Sequence, residues 1–103
     1  MVQVLLNHTS AKRNRLSIQE TGLRAHQPEY MMFQPEGIYA TFEGDNPWFG
    51  TYSDQWTFPY VGRLLPDPYF RRNNPASTEV VIPADATPVI QPTLLQLKEG
   101  KDY

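Results

Sequence analysis

The sequence predicts a single α+β domain built on a small, largely antiparallel sheet with two short helices. Three observations carry that expectation. Strand-like runs, about five or six of them, outnumber the helical ones. None of the links between them has the length and period of a crossover helix, which parallel neighbours require. Ten prolines in 103 residues keep every element short, because proline is excluded from helix interiors and central strands.

Val2-Gln3-Val4-Leu5-Leu6 opens with alternation that becomes apolar on both faces, the pattern of a partly buried strand. Ser10 is placed to cap a following helix, and Gly22 fits the left-handed residue just beyond its end. Leu16 and Ile18 supply most of that helix's apolar character, so it is expected to lie thinly on the surface. Residues 24–36 carry two prolines and no period, and read as a long loop tacked down by Tyr30, Met31, Met32 and Phe33. Gly37 to about Phe42 is a strand. Gly44-Asp45-Asn46 is a turn, and Asn46-Pro47 starts a helix with asparagine as cap and proline in its first turn. That helix holds Trp48, Phe49 and Tyr52 and ends by Asp54. Gln55 to Leu65 reads as a strand, with Pro59 assigning part of it to an edge or a bulge. Pro66-Asp67-Pro68 breaks it, and Arg71-Arg72-Asn73-Asn74-Pro75 follows as an exposed loop. Thr78 to Ile82 is the clearest strand of all. Pro83-Ala84-Asp85-Ala86 turns the chain toward Thr87–Gln91, and Leu94–Leu97 forms a last strand or a short helix.

One domain, 1–103, fills this length. A composition of 40% hydrophobic and 19% charged residues is that of a globular chain. A net charge of -2 creates no field that would gather nucleic acid or an anionic membrane. With no cysteine there is no disulfide scaffold, thiolate zinc site or thiol nucleophile. No apolar run approaches the roughly 18 residues of a membrane helix, and the N-terminus lacks a signal-peptide core, so a cytoplasmic protein without a membrane partner is expected.

Three short pieces carry the candidate chemistry: Leu6-Asn7-His8-Thr9, Gly37-Ile38-Tyr39-Ala40-Thr41 and Ser77-Thr78-Glu79-Val80-Val81-Ile82-Pro83. Each sets one polar side chain, His8, Tyr39 or Glu79, among apolar neighbours on a strand. Taken singly, each has a plain structural reading. His8 is then a hydrogen-bonded surface histidine, Tyr39 is core, and Tyr52 packs with Trp48 and Phe49. Glu79 is the solvent-facing residue of an edge strand. The basic cluster Lys12-Arg13-Asn14-Arg15 reads as a solvated face or an anion contact, and His8 and His26 show no metal-ligand spacing. No phosphate-cradling glycine loop and no Gly-x-Ser-x-Gly nucleophile motif occur.

In this order, with Ser17-Ile18-Gln19-Glu20-Thr21-Gly22 between the first two pieces, the sequence resembles the NAD-gripping core of the mono-ADP-ribosyltransferases. The likeness is to the diphtheria-toxin type, whose signature is a His, a Tyr and a Glu on three strands. The resemblance implies an ADP-ribosyltransferase-like split sheet and an enzyme that takes NAD as substrate. Such an enzyme cleaves the nicotinamide–ribose bond and transfers ADP-ribose to a macromolecular acceptor, protein or nucleic acid. It implies that His8, with Thr9 beside it, hydrogen-bonds the ribose, that Tyr39 and Tyr52 clasp the nicotinamide, and that Glu79 is the catalytic carboxylate. The chemistry suits these types: aromatic faces favour a cationic ring, and a carboxylate steadies an oxocarbenium-like sugar.

The chain departs from the family at three points. The glycine after the histidine is missing, the interval from Tyr39 to Glu79 is short, and Ser77 stands where the arginine-modifying branch carries Glu or Gln, which argues against an arginine acceptor. The alternative is a non-catalytic structural or binding module, a degenerate form of the same fold acting through a partner or a homo-oligomer. A toxin-like or phage-type effector would share the transferase chemistry.

Overall fold

A computed structural model of the chain describes residues 3–26, 35–42, 54–66 and 79–100. Its centre is the first strand, β1 (Val4–Ser10), whose apolar opening is explained by a neighbour on each side. The other strands are β2 (Leu23–Arg24), β3 (Gly37–Phe42), β4 (Asp54–Tyr60), β5 (Leu65–Pro66), β6 (Glu79–Pro83), β7 (Val89–Ile90) and β8 (Gln96–Glu99). Six of them form one sheet in the order β5-β6-β3-β1-β4-β8, and β2 pairs with β7 in a second, two-stranded sheet. Every described pairing is antiparallel. The domain is α+β with a mostly antiparallel sheet, as the absence of crossover links requires.

Side chains directly opposite in an antiparallel ladder leave on the same face, so the register sorts the sheet into two sides. Leu6, Phe42 and Phe58 share one row, and His8 lies opposite Trp56 on the same side. With Ile38, Ala40, Tyr60, Val80 and Ile82 these residues form the core face, closed by Ile18, Leu23 and Ile90. Burial of a side chain as large as Phe58 or Leu6, neither of which is exposed at all, contributes on the order of 1.5–3 kcal/mol each.

The first helix differs from expectation at its start. Ser10 ends β1 and caps nothing; its hydroxyl accepts a hydrogen bond from the Trp56 indole at 2.8 Å. A 3-10 turn at Lys12–Asn14 leads into the α-helix α1 (Arg15–Thr21), with Asn14 in the cap position and no side-chain cap bond. Ile18 faces the core, whereas Leu16 is 70% exposed, so a single apolar residue anchors this helix. Gly22 does stop it, with φ +85, and a Cβ there would collide with the Ile90 carbonyl. Among the described residues α1 is the one α-helix. The second expected helix, with Trp48, Phe49 and Tyr52, lies outside them, as does the Arg71-Arg72 loop.

Other expectations are refined by pairing. The strand read from Gln55 to Leu65 is two: β4 stops at Tyr60, and β5 lies at the opposite edge of the sheet. Pro59 is tolerated in β4 because β8 pairs only with Asp54 to Thr57, leaving no described strand on that side of Pro59. The tail is turn and strand in succession, Pro92–Leu94 in a 3-10 turn and then β8. Among the described residues no helix is long and apolar enough to cross a membrane.

Candidate functional site

The site begins where β1 and β3 part. Their ladder consists of Leu6↔Phe42 and Asn7↔Thr41 and goes no further, although both strands continue. At the other end of β3, Gly37 exchanges two backbone hydrogen bonds with His26, at 2.9 and 3.0 Å, so a different segment of chain takes over that edge. Gly37 is required there by close approach, since a Cβ would strike the Ile82 carbonyl on the neighbouring β6.

In the gap between these two points the His8 imidazole closes on β3. Its Nδ1 lies 2.6 Å from the Tyr39 carbonyl oxygen. A carbonyl only accepts, so Nδ1 carries the proton, and in the neutral ring Nε2 is left as a lone-pair acceptor. Continuation of the ladder register would have made the Thr9 amide the donor to that carbonyl; the side chain of His8 has replaced a backbone group. His8 is half-buried, and desolvation holds its pKa below the ordinary histidine value. The bond to Tyr39 opposes that shift, and the nearby His26 adds to it.

Tyr39 and Glu79 leave β3 and β6 on the side of the sheet away from the core. Glu79 lies directly opposite Thr41, and Tyr39 is two pairs further along, opposite Val81. The two are diagonal neighbours, within about 7–8 Å at the backbone and within reach for long side chains. The Tyr39 hydroxyl donates to the Pro35 carbonyl at 2.5 Å, and its ring meets that of His26 with centroids 5.9 Å apart at 52°. The solvent-facing, edge-strand reading of Glu79 is corrected. β6 runs between β3 and β5, and Glu79 is only 7% exposed.

Glu79 heads a polar row, buried at Glu79, Thr41 and Asn7, that crosses the sheet to half-buried Thr57. Asn7 Oδ1 accepts from the Thr57 hydroxyl at 2.9 Å and from Gln55 Nε2 at 3.3 Å, which satisfies that end. Among the described residues Thr41 Oγ1 is the buried side-chain polar atom without a hydrogen-bond partner, and it lies beside Glu79. Unsatisfied buried groups are rare enough in native folds that each calls for a reason.

The structure therefore brings Tyr39 and Glu79 to one side of adjacent strands. It joins His8 to them through a backbone carbonyl rather than a shared face, because strand alternation sends His8 toward Trp56. Thr9, not His8, lies on the Tyr39 side of β1, opposite Gln55. Tyr52 lies outside the described residues. Asn7 and Thr41 lie within the sequence motifs, which assign them no role. A polar residue such as asparagine in mid-strand, disfavoured there unless it has partners, was the signal available for the first. The basic cluster at 12–15 is also resolved in part: Arg15 is structural, its Nε and Nη2 bonded to Asp54 at 2.9 and 2.7 Å and its Nη1 to Glu99 at 3.0 Å.

Comparison with protein-family models, with curated proteins and with solved structures returned no match.

Proposed function

We propose that the chain is a small NAD-dependent ADP-ribosyltransferase. The observation that carries the reading is the approach of Glu79 and Tyr39 on neighbouring strands beside the gap that His8 bridges. The resemblance asks for a His, a Tyr and a Glu on three strands, and β1, β3 and β6, which carry them, are adjacent in the sheet.

In the reaction, the bond between nicotinamide nitrogen and ribose breaks with its electron pair leaving on the nicotinamide. The ribose carbon becomes oxocarbenium-like, and an oxygen or nitrogen of the acceptor attacks it and gives up a proton. The Glu79 carboxylate steadies that developing charge and anchors a ribose hydroxyl. Tyr39 offers a face to the cationic nicotinamide, with Tyr52 as the second ring. His8 leaves β1 on the core side, so in place of the ribose contact that the resemblance implies it holds the Tyr39 carbonyl, while the partnerless Thr41 hydroxyl supplies a ribose contact beside Glu79. The acceptor is a protein or nucleic acid.

The test is nicotinamide release from NAD in the presence of protein and nucleic-acid acceptors, with NAD binding followed by calorimetry. Glu79→Gln keeps the shape of the side chain and removes its charge. Release by the wild type should fall about 10²-fold in the variant while NAD still binds. A wild type that neither binds NAD nor releases nicotinamide overturns the reading and leaves the non-catalytic module.

A further inference from the structure

We infer that His26 is a positioning residue for Tyr39, setting the plane of the ring against which nicotinamide stacks. The inference rests on the transferase reading and adds a residue that reading does not use.

Among the described residues, two hydrogen bonds tether Tyr39. In one, His8 holds its carbonyl; in the other, its hydroxyl donates to Pro35. The first acts on the backbone and the second at the hydroxyl, on the axis that runs from Cβ through the ring. Neither stops the ring from turning about that axis, and χ2 of an aromatic side chain is intrinsically broad. Only an off-axis contact fixes the plane. The His26 ring is such a contact, 5.9 Å away and inclined at 52°, within the range favoured by aromatic pairs. Its own position is set by backbone: the two hydrogen bonds with Gly37 hold His26 two residues from Tyr39 along the same edge of β3. His26 Nδ1 is 3.4 Å from the Arg24 carbonyl, a long contact that constrains the imidazole weakly. A flat cationic ligand binds best to a ring already held at the right tilt, because the rotational freedom is lost before binding.

Substitution at His26 leaves its backbone bonds intact, so the side chain can be tested without dismantling the bridge. His26→Ala and His26→Phe are compared with wild type for NAD affinity by calorimetry, for KM and kcat of nicotinamide release, and for thermal midpoint. His26→Ala should raise Kd and KM about two- to tenfold, the range of one aromatic contact, with kcat and midpoint little changed. His26→Phe should restore both constants, since it keeps an aromatic edge at that place. Wild-type affinity in His26→Ala overturns the inference and leaves the transferase reading intact. A loss that follows a fall in midpoint and is not rescued by phenylalanine also overturns it, because the residue then acts through stability. A wild type with no affinity for NAD overturns both.

Discussion

β1 has two seams, and they are built differently. Toward β4 it forms seven consecutive pairs from Val4↔Tyr60 to Ser10↔Asp54. Toward β3 it forms two, and then the strands separate with an imidazole between them. The closed seam carries the largest core side chains, Trp56 and Phe58, and ends in the Arg15–Asp54–Glu99 cluster that ties α1 to the sheet. The open seam carries His8, Tyr39 and a polar row with one unsatisfied hydroxyl. A strand edge paired along its length offers few polar groups to a ligand, whereas a parted seam leaves backbone groups outside the ladder. The difference places the tighter pairing on one side of β1 and, on the proposed reading, the chemistry on the other.

The sharpest way to break that assignment is to attack the closed seam at its charged end. Asp54 is fully buried, and Arg15 supplies it with two hydrogen bonds. Arg15→Met would leave a carboxylate in the interior without compensation and is expected to destabilise the fold by about 3–5 kcal/mol, read as a lowered denaturation midpoint. Arg15→Met combined with Asp54→Leu should recover much of that loss, because the pair as a whole contributes far less than either half alone. Failure of the single variant to unfold early would mean that this end of the seam is not what fastens α1.

The fold class was legible because periodicity and proline placement are local properties. Short runs of strand-forming residues marked Gly37–Phe42 and Thr78–Ile82, and Gly22 marked a helix end, with no knowledge of neighbours needed. The helix start was misread because Ser10 is a good cap by type, and only the fold reveals that its hydroxyl serves Trp56. Asp54 and Arg15 could not be paired from the sequence, since 39 positions separate them. Glu79 looked solvent-facing for the same reason: whether a strand is at an edge depends on which strands pair, and β5 and β3 come to β6 from different parts of the chain. Of the candidate site, the strands bearing His8, Tyr39 and Glu79 were legible. The parting of β1 from β3 and the side taken by His8 were not, because a change of register partner leaves no mark on composition.

At the open seam a smaller effect is expected, and it depends on pH. His8→Gln removes the bond to the Tyr39 carbonyl and should cost about 1 kcal/mol at neutral pH. The wild type should then lose part of its advantage in acid. Burial lowers the folded-state pKa of His8, so as pH falls below about 6.5 the unfolded chain takes up the proton first and unfolding is favoured. The decline ends when pH passes the folded-state value, and above about 6.5 the imidazole is neutral in both states and contributes no slope. Denaturation midpoints across mildly acid pH should therefore converge for wild type and His8→Gln. Parallel curves would show that the imidazole is not desolvated in the gap.

The smallest effect is expected at a second arginine–aspartate contact, one that belongs to neither seam. Arg63 Nη2 bonds both carboxylate oxygens of Asp85 at 2.6 and 2.7 Å, distances as short as those of Arg15 on Asp54. The hydrogen bond from Arg63 holds the Asp85 carboxyl below its ordinary pKa, ahead of the other influences on it. By distance alone the two pairs are equals. They differ in solvent: the Arg63 and Asp85 side chains are 59% and 73% exposed, against 21% and 0% for Arg15 and Asp54. Water and salt screen the exposed pair, and each partner is well hydrated when the other is removed. Arg63→Ser should leave the denaturation midpoint unchanged at low and at high salt, while Arg15→Met lowers it at both. A midpoint that fell as far for Arg63→Ser would mean that contact geometry, rather than desolvation at the closed seam, decides which charges hold this fold.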